Sequence, residues 1–106
     1  MDAALQKIEA GLGHDNSLRE DLIRRIEKDL NSSFLSAEDS LIIIYQKLEK
    51  LLEQNPAEWN TWLYRVDVRE KSIQALQTHS FELSEIALLI LEREMQKVIF
   101  RKQYNS

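Results

Sequence analysis

Two glycines and one proline in 106 residues leave this chain few places to turn tightly. Apolar residues instead recur three and four apart along most of its length, the period of an amphipathic helix. Long helices joined by short connections follow, stopped by capping residues more than by glycine-rich loops. The expected fold is therefore all-α: a compact single-domain bundle of roughly four to six helices over residues 1–106, without a sheet. A chain of this length fits one core and hardly two.

The first segment, from Asp2 to about Ala10, has Asp2 as a candidate N-cap and Leu5, Ile8 and Leu12 near helical spacing, with Gly11 and Gly13 as the stop. Ser17-Leu18-Arg19-Glu20 reads as a capping box opening a helix with Leu18, Leu22, Ile26 and Leu30 on one face, widened by Ile23. Asn31-Ser32-Ser33 closes it. Ser36-Ala37-Glu38-Asp39 resembles a second box, ahead of Leu41, Ile44, Tyr45, Leu48, Leu51 and Leu52. Taken alone, Leu41 to Tyr45 would suit a strand, but the helical spacing after it favours helix. Being apolar on all sides, that turn is expected to be covered from more than one direction. Asn55-Pro56 should end this helix and start the next, with Asn55 as N-cap and Glu58 in the box position. Trp59, Trp62, Leu63 and Val66 then form one face, and Asp67-Val68-Arg69-Glu70 is a further box before Ile73 and Leu76. Thr78-His79-Ser80 reads as a loop or cap. A last helix from about Ser80 to Lys102 carries Leu83, Ala87, Ile90, Leu91, Met95, Val98 and Ile99. Its block Ile86 to Leu91 has no polar side, as expected of a central helix.

The hydrophobic fraction of 43% is too high for disorder, and the charged fraction of 30% excludes a membrane bundle. The start of the chain has an acid at position 2 and no apolar stretch, unlike a signal peptide. There is no cysteine, hence no disulfide or thiolate chemistry. A cytoplasmic protein is expected. The net charge of −4 opposes general affinity for nucleic acid, whose binding is dominated by phosphate neutralisation.

Residues that carry chemistry are sparse. His14 and His79, the only histidines, lie in connections without a partner motif, and are expected to be structural. Neither forms a Glu-x-x-His pair, and Glu92 and Glu94 stand two apart on a helix, so no metal site is expected. Gly11-Leu12-Gly13 is a helix stop rather than a phosphate loop. No cofactor is expected. Arg24-Arg25 and Lys97, Arg101 and Lys102 are the only basic clusters. Asp67 to Gln77, with Arg69, Lys71, Gln74 and Gln77, is the best approximation to a recognition helix, and solvated surface is the plainer reading. Trp59, Trp62, Tyr64 and Tyr45 could form a ligand box or a binding hot spot; core packing is the plainer reading, with Tyr64 pointing outward.

The stretch Trp62-Leu63-Tyr64-Arg65-Val66-Asp67-Val68 through Glu92-Arg93-Glu94-Met95-Gln96-Lys97 resembles short all-α proteins of bacteria. It covers about half the chain and implies no activity, only a bacterial cytoplasm. The expected function is a non-enzymatic helical interaction protein, binding itself as a homodimer or an unidentified protein partner. Tyr64, Lys97, Arg101 and Lys102 are the candidate partner surface. A regulatory protein touching nucleic acid through its basic groups is the alternative. A small-ligand binder or enzyme with a pocket near Trp59 and Tyr45 is a third.

Overall fold

The computed structural model describes residues 3–13, 16–78 and 80–105, without the side chain of residue 105. Six α-helices account for most of them: α1 Ala3–Leu12, α2 Asn16–Leu30, α3 Leu41–Gln54, α4 Trp59–Val66, α5 Glu70–Gln77 and α6 Leu83–Asn105. A 3-10 turn, Pro56–Glu58, joins α3 to α4, and no strand occurs among the described residues. The all-α bundle is as the periodicity requires, and Leu41 to Tyr45 is helix.

Helix α6 is the axis of the bundle, packing against α1, α2, α3 and α4. Its Ile86, Ala87, Ile90, Leu91, Met95 and Val98 are buried, while Leu83, Leu88, Leu89 and Ile99 are half-buried against the same core. Within one chain the near-circumferential apolar block is covered at Ile86, Ala87, Ile90 and Leu91, while Leu88 and Leu89 stay half-buried. From α2, Leu18, Leu22, Ile23, Ile26 and Leu30 enter this core, with Leu5, Ile8 and Leu12 from α1. Helix α3 adds Leu41, Ile44, Leu48 and Leu52, and α4 adds Trp62, Leu63 and Val66. Burying one such side chain fully is worth about 1.5–3 kcal/mol. The turn at Ile42 and Ile43 departs from expectation. Both are more than a third exposed, because α3 lies on the outside of α6 and only its Leu41–Ile44–Leu48–Leu52 stripe faces inward.

The helix ends correct several readings. Helix α1 runs through Gly11 and stops at Gly13, whose φ of 55° suits glycine. Cap candidate Asp2 lies outside the described residues. Ser17 is not an N-cap, since α2 already includes Asn16. The end of α2 at Asn31 is as expected: with φ 50° it makes a Schellman closure, the Ser32 amide donating to the Glu27 carbonyl at 3.1 Å. Ser36 does not cap α3. It closes a turn with Asp39, whose carboxylate accepts from the Ser36 amide at 2.9 Å, and Ser40 takes the N-cap, accepting from Ile43.

Asn55 caps backwards. Its Nδ2 donates to the Leu51 carbonyl at 2.8 Å and no side-chain bond reaches the following turn. Trp59 Nε1 donates to the Leu52 carbonyl at 2.7 Å, so two side chains close the end of α3. Asp67 is likewise a C-terminal residue, left-handed at φ 65° after α4, and not an N-cap of α5.

Candidate functional site

The apolar stripe of α2 leaves its polar side facing the polar side of α6, and an open cleft of about 1090 Å³ runs between them. Arg24, Arg25 and Lys28 line it from α2, and Arg93, Lys97, Arg101 and Lys102 from α6. On α6, positions 93, 97 and 101 fall in one row because residues four apart share a helix face. Asp21 is the one carboxylate in the lining. Half of the chain's fourteen Lys and Arg residues therefore meet in one place on an acidic protein. The two basic clusters seen in the sequence lie on opposite walls of the same cleft.

Most of these cations are tied to carboxylates. Arg24 meets Asp21 at 2.5 Å on the same helix, both largely in water. Arg93 reaches across to the α4–α5 corner, where Nε donates to the Asp67 carbonyl at 2.9 Å and Nη2 to its carboxylate at 3.1 Å. Among the described residues no carboxylate pairs with Lys28 or Arg101.

Behind the cleft wall lies a nearly dry polar cluster. Lys97 donates to Asp29 at 2.8 Å and touches Glu94 Oε1 at 2.5 Å, while Arg25 Nε stands 3.9 Å from Asp29. Glu94 is completely buried, and neither of its oxygens receives a well-aligned hydrogen bond. Burial raises its pKa to about 7; Lys97 pulls the other way, and the adjacent Asp29 carboxyl adds to the rise. Counting Asp29 and Glu94 as ionised still leaves the cleft an excess of positive charge.

At one end of the cleft Phe100, on its lining, stacks against Tyr104 with centroids 4.5 Å apart and planes inclined by 35°. Both are largely exposed, at 60% and 75%.

The structure brings Lys97, Arg101 and Lys102 together but places Tyr64 elsewhere. Tyr64, 85% exposed, borders a separate hollow of about 230 Å³ with Asp67 and Ile73. The four do not form one lining, because Tyr64 leaves the outer face of α4. Trp62 is buried, while Trp59 and Tyr45 pack half-buried against the core. Trp59 also meets Phe81 edge-on at 6.3 Å. Arg69, Lys71, Gln74 and Gln77 are exposed on or beside the short α5. His14 and His79 lie outside the described residues. No group of three metal-ligating side chains occurs among the described residues, and no described helix is long and apolar enough to cross a membrane.

Sequence reasoning missed Asp29, Arg93 and Phe100, and weighed Glu94 only as a metal ligand. Glu94 had a signal: it stands in the buried register of Leu91, Met95 and Val98, where a carboxylate is out of place. No protein family matches the chain, and neither a curated protein nor a solved structure proved significantly similar to it.

Proposed function

We propose that this protein is a non-enzymatic helical interaction protein of the cytoplasm that holds an anionic partner in the α2–α6 cleft. The observation that carries this reading is the gathering of seven of fourteen cations around one cleft with a single lining carboxylate. Such concentration raises the local potential and attracts opposite charge even on a molecule of net negative charge. Lys28 and Arg101, which have no internal carboxylate among the described residues, are its available anchors. Binding rather than catalysis is favoured because the one described group raised towards neutrality, Glu94, is sealed behind Lys97 and does not line the cleft.

The test is a titration of isotope-labelled protein with polyglutamate and, separately, with an oligothymidylate, followed by amide NMR shifts. Resonances of Arg24, Lys28 and Arg101 should move with at least one polyanion, and added salt should weaken the effect because exposed charges are screened beyond about 8 Å at physiological ionic strength. Lys28→Glu combined with Arg101→Glu should abolish it. If neither polyanion disturbs the cleft, the reading is wrong.

A further inference from the structure

Resting on that reading, we infer that the cleft's partner is an acidic amphipathic helix of another protein, whose carboxylates meet Lys28 and Arg101 and whose apolar side rests on Phe100 and Tyr104.

Three features select such a ligand. The first is the pairing of charge with exposed aromatic surface along α6, where Lys97, Phe100, Arg101 and Tyr104 follow at helical spacing. Purely ionic ligands would leave the two rings in water, whereas aromatic side chains are the residues most often found at the energetic centre of protein contacts. The second is the chemistry already present on the walls. Arg24, Arg93 and Lys97 each engage a carboxylate of this chain, at 2.5, 3.1 and 2.8 Å. Those three cations are thus already matched, whereas Lys28 and Arg101 on the same lining have no carboxylate of their own among the described residues. The third is size: about 1090 Å³ lies at or beyond the upper limit of ordinary small-molecule sites, roughly 300–1,000 Å³.

The helical form follows from backbone chemistry. An extended peptide bound by main-chain pairing needs a sheet edge, and the described fold offers none. A segment lying in this cleft must satisfy its own amides and carbonyls, as a helix does. Carboxylates four apart on that helix share one face, which can be turned to the cations of the cleft.

Single-stranded nucleic acid could use the same cations, but two observations weigh against it. Outside the cleft lining the chain carries seven cations and seventeen carboxylates, so phosphates running past the site meet repulsion. Phe100 and Tyr104 also stack on each other at 4.5 Å, which leaves no gap for a base between them.

Fluorescence anisotropy with a labelled synthetic peptide tests the inference. The peptide should be about fifteen residues long, enough for helix formation to be feasible, with glutamates four apart on one face and leucines beside them. It should bind the full-length protein, with affinity falling steeply with salt. Replacing its leucines by alanine, or combining Phe100→Ala with Tyr104→Ala, should each weaken binding about tenfold, since an aromatic anchor is commonly worth that much. Circular dichroism confirms that this surface variant remains folded. A proline in the middle of the peptide should abolish binding. Tighter binding of an oligothymidylate of equal charge overturns the inference while leaving the anionic-partner reading intact. Peptide binding indifferent to the rings, or to the proline, also overturns it. Failure of both peptide and oligonucleotide to bind removes both readings together.

Discussion

Replacing Glu94 by glutamine should make the protein's stability less dependent on pH. The ordinary carboxyl value is 4.5, and burial raises that of Glu94 to about 7. Because the folded pKa is the higher one, the folded state holds the proton more tightly than the unfolded state. Stability from this group is fully present below 4.5, where both states are protonated, and is lost as pH rises through about 7. One pKa unit corresponds to about 1.36 kcal/mol, so the loss approaches roughly 3 kcal/mol in alkali. Between about pH 5.5 and 8 it amounts to about 2 kcal/mol, an upper value because Lys97, already in contact with Glu94, offsets part of the cost as it ionises. Glutamine keeps the shape and cannot ionise. The variant should therefore gain about 2 kcal/mol over the parent across that interval, or about 8–10 °C in Tm for a domain of this size. Urea unfolding at a series of pH values measures it directly. If the two stability curves run parallel, or the parent gains on the variant as pH rises, Glu94 is ionised and well paired in the fold, and the argument from burial fails.

Asn55→Ala removes the donor to the Leu51 carbonyl and should lower stability by about 1 kcal/mol in chemical denaturation, without shifting the start of α4. Asp67→Gly relieves a left-handed residue but gives up the carboxylate bond to Arg93; the two effects should nearly cancel, within about 1 kcal/mol, whereas Asp67→Val should destabilise by more than that. Thermal melts of the pair separate backbone conformation from ion pairing. Leu22→Ala, at a fully buried position, should lower unfolding free energy by about 2–5 kcal/mol in urea.

Helix identity was legible because the stripes of α2 and α6 each repeat over many turns, so that Leu22, Ile26, Ile90 and Leu91 all reached the core. Helix ends were less so. Around Ser36 and Ser40 there are several residues able to cap, and the choice falls to the turn closed by Asp39, which Lys47 holds from α3 at 2.7 Å. Asn55 and Asp67 had the right composition for caps but serve the helix behind them, a choice made by the corner geometry. Exposure of Ile42 and Ile43 depended on which side of α6 the helix α3 occupies, a tertiary fact. For the cleft, both basic clusters could be read locally, yet they lie some seventy residues apart in the chain, and only the packing of α2 on α6 joins them. Asp29 illustrates the same limit: nothing in its neighbourhood announces Lys97.

The central place of α6 also bears on how the chain is made. Ribosomes deliver α1 through α5 before any of α6 exists, and α1, α2 and α3 each pack more on α6 than on any other helix. Their inward faces, Leu22, Ile26, Ile44 and Leu48 among them, have no complete partner surface until α6 emerges. The nascent chain thus carries a set of uncovered apolar stripes through most of its synthesis, the condition in which growing polypeptides engage chaperones or aggregate. A product ending before α6 would keep those stripes permanently and be a substrate for proteolysis, so the quality of every copy is decided by the arrival of one helix.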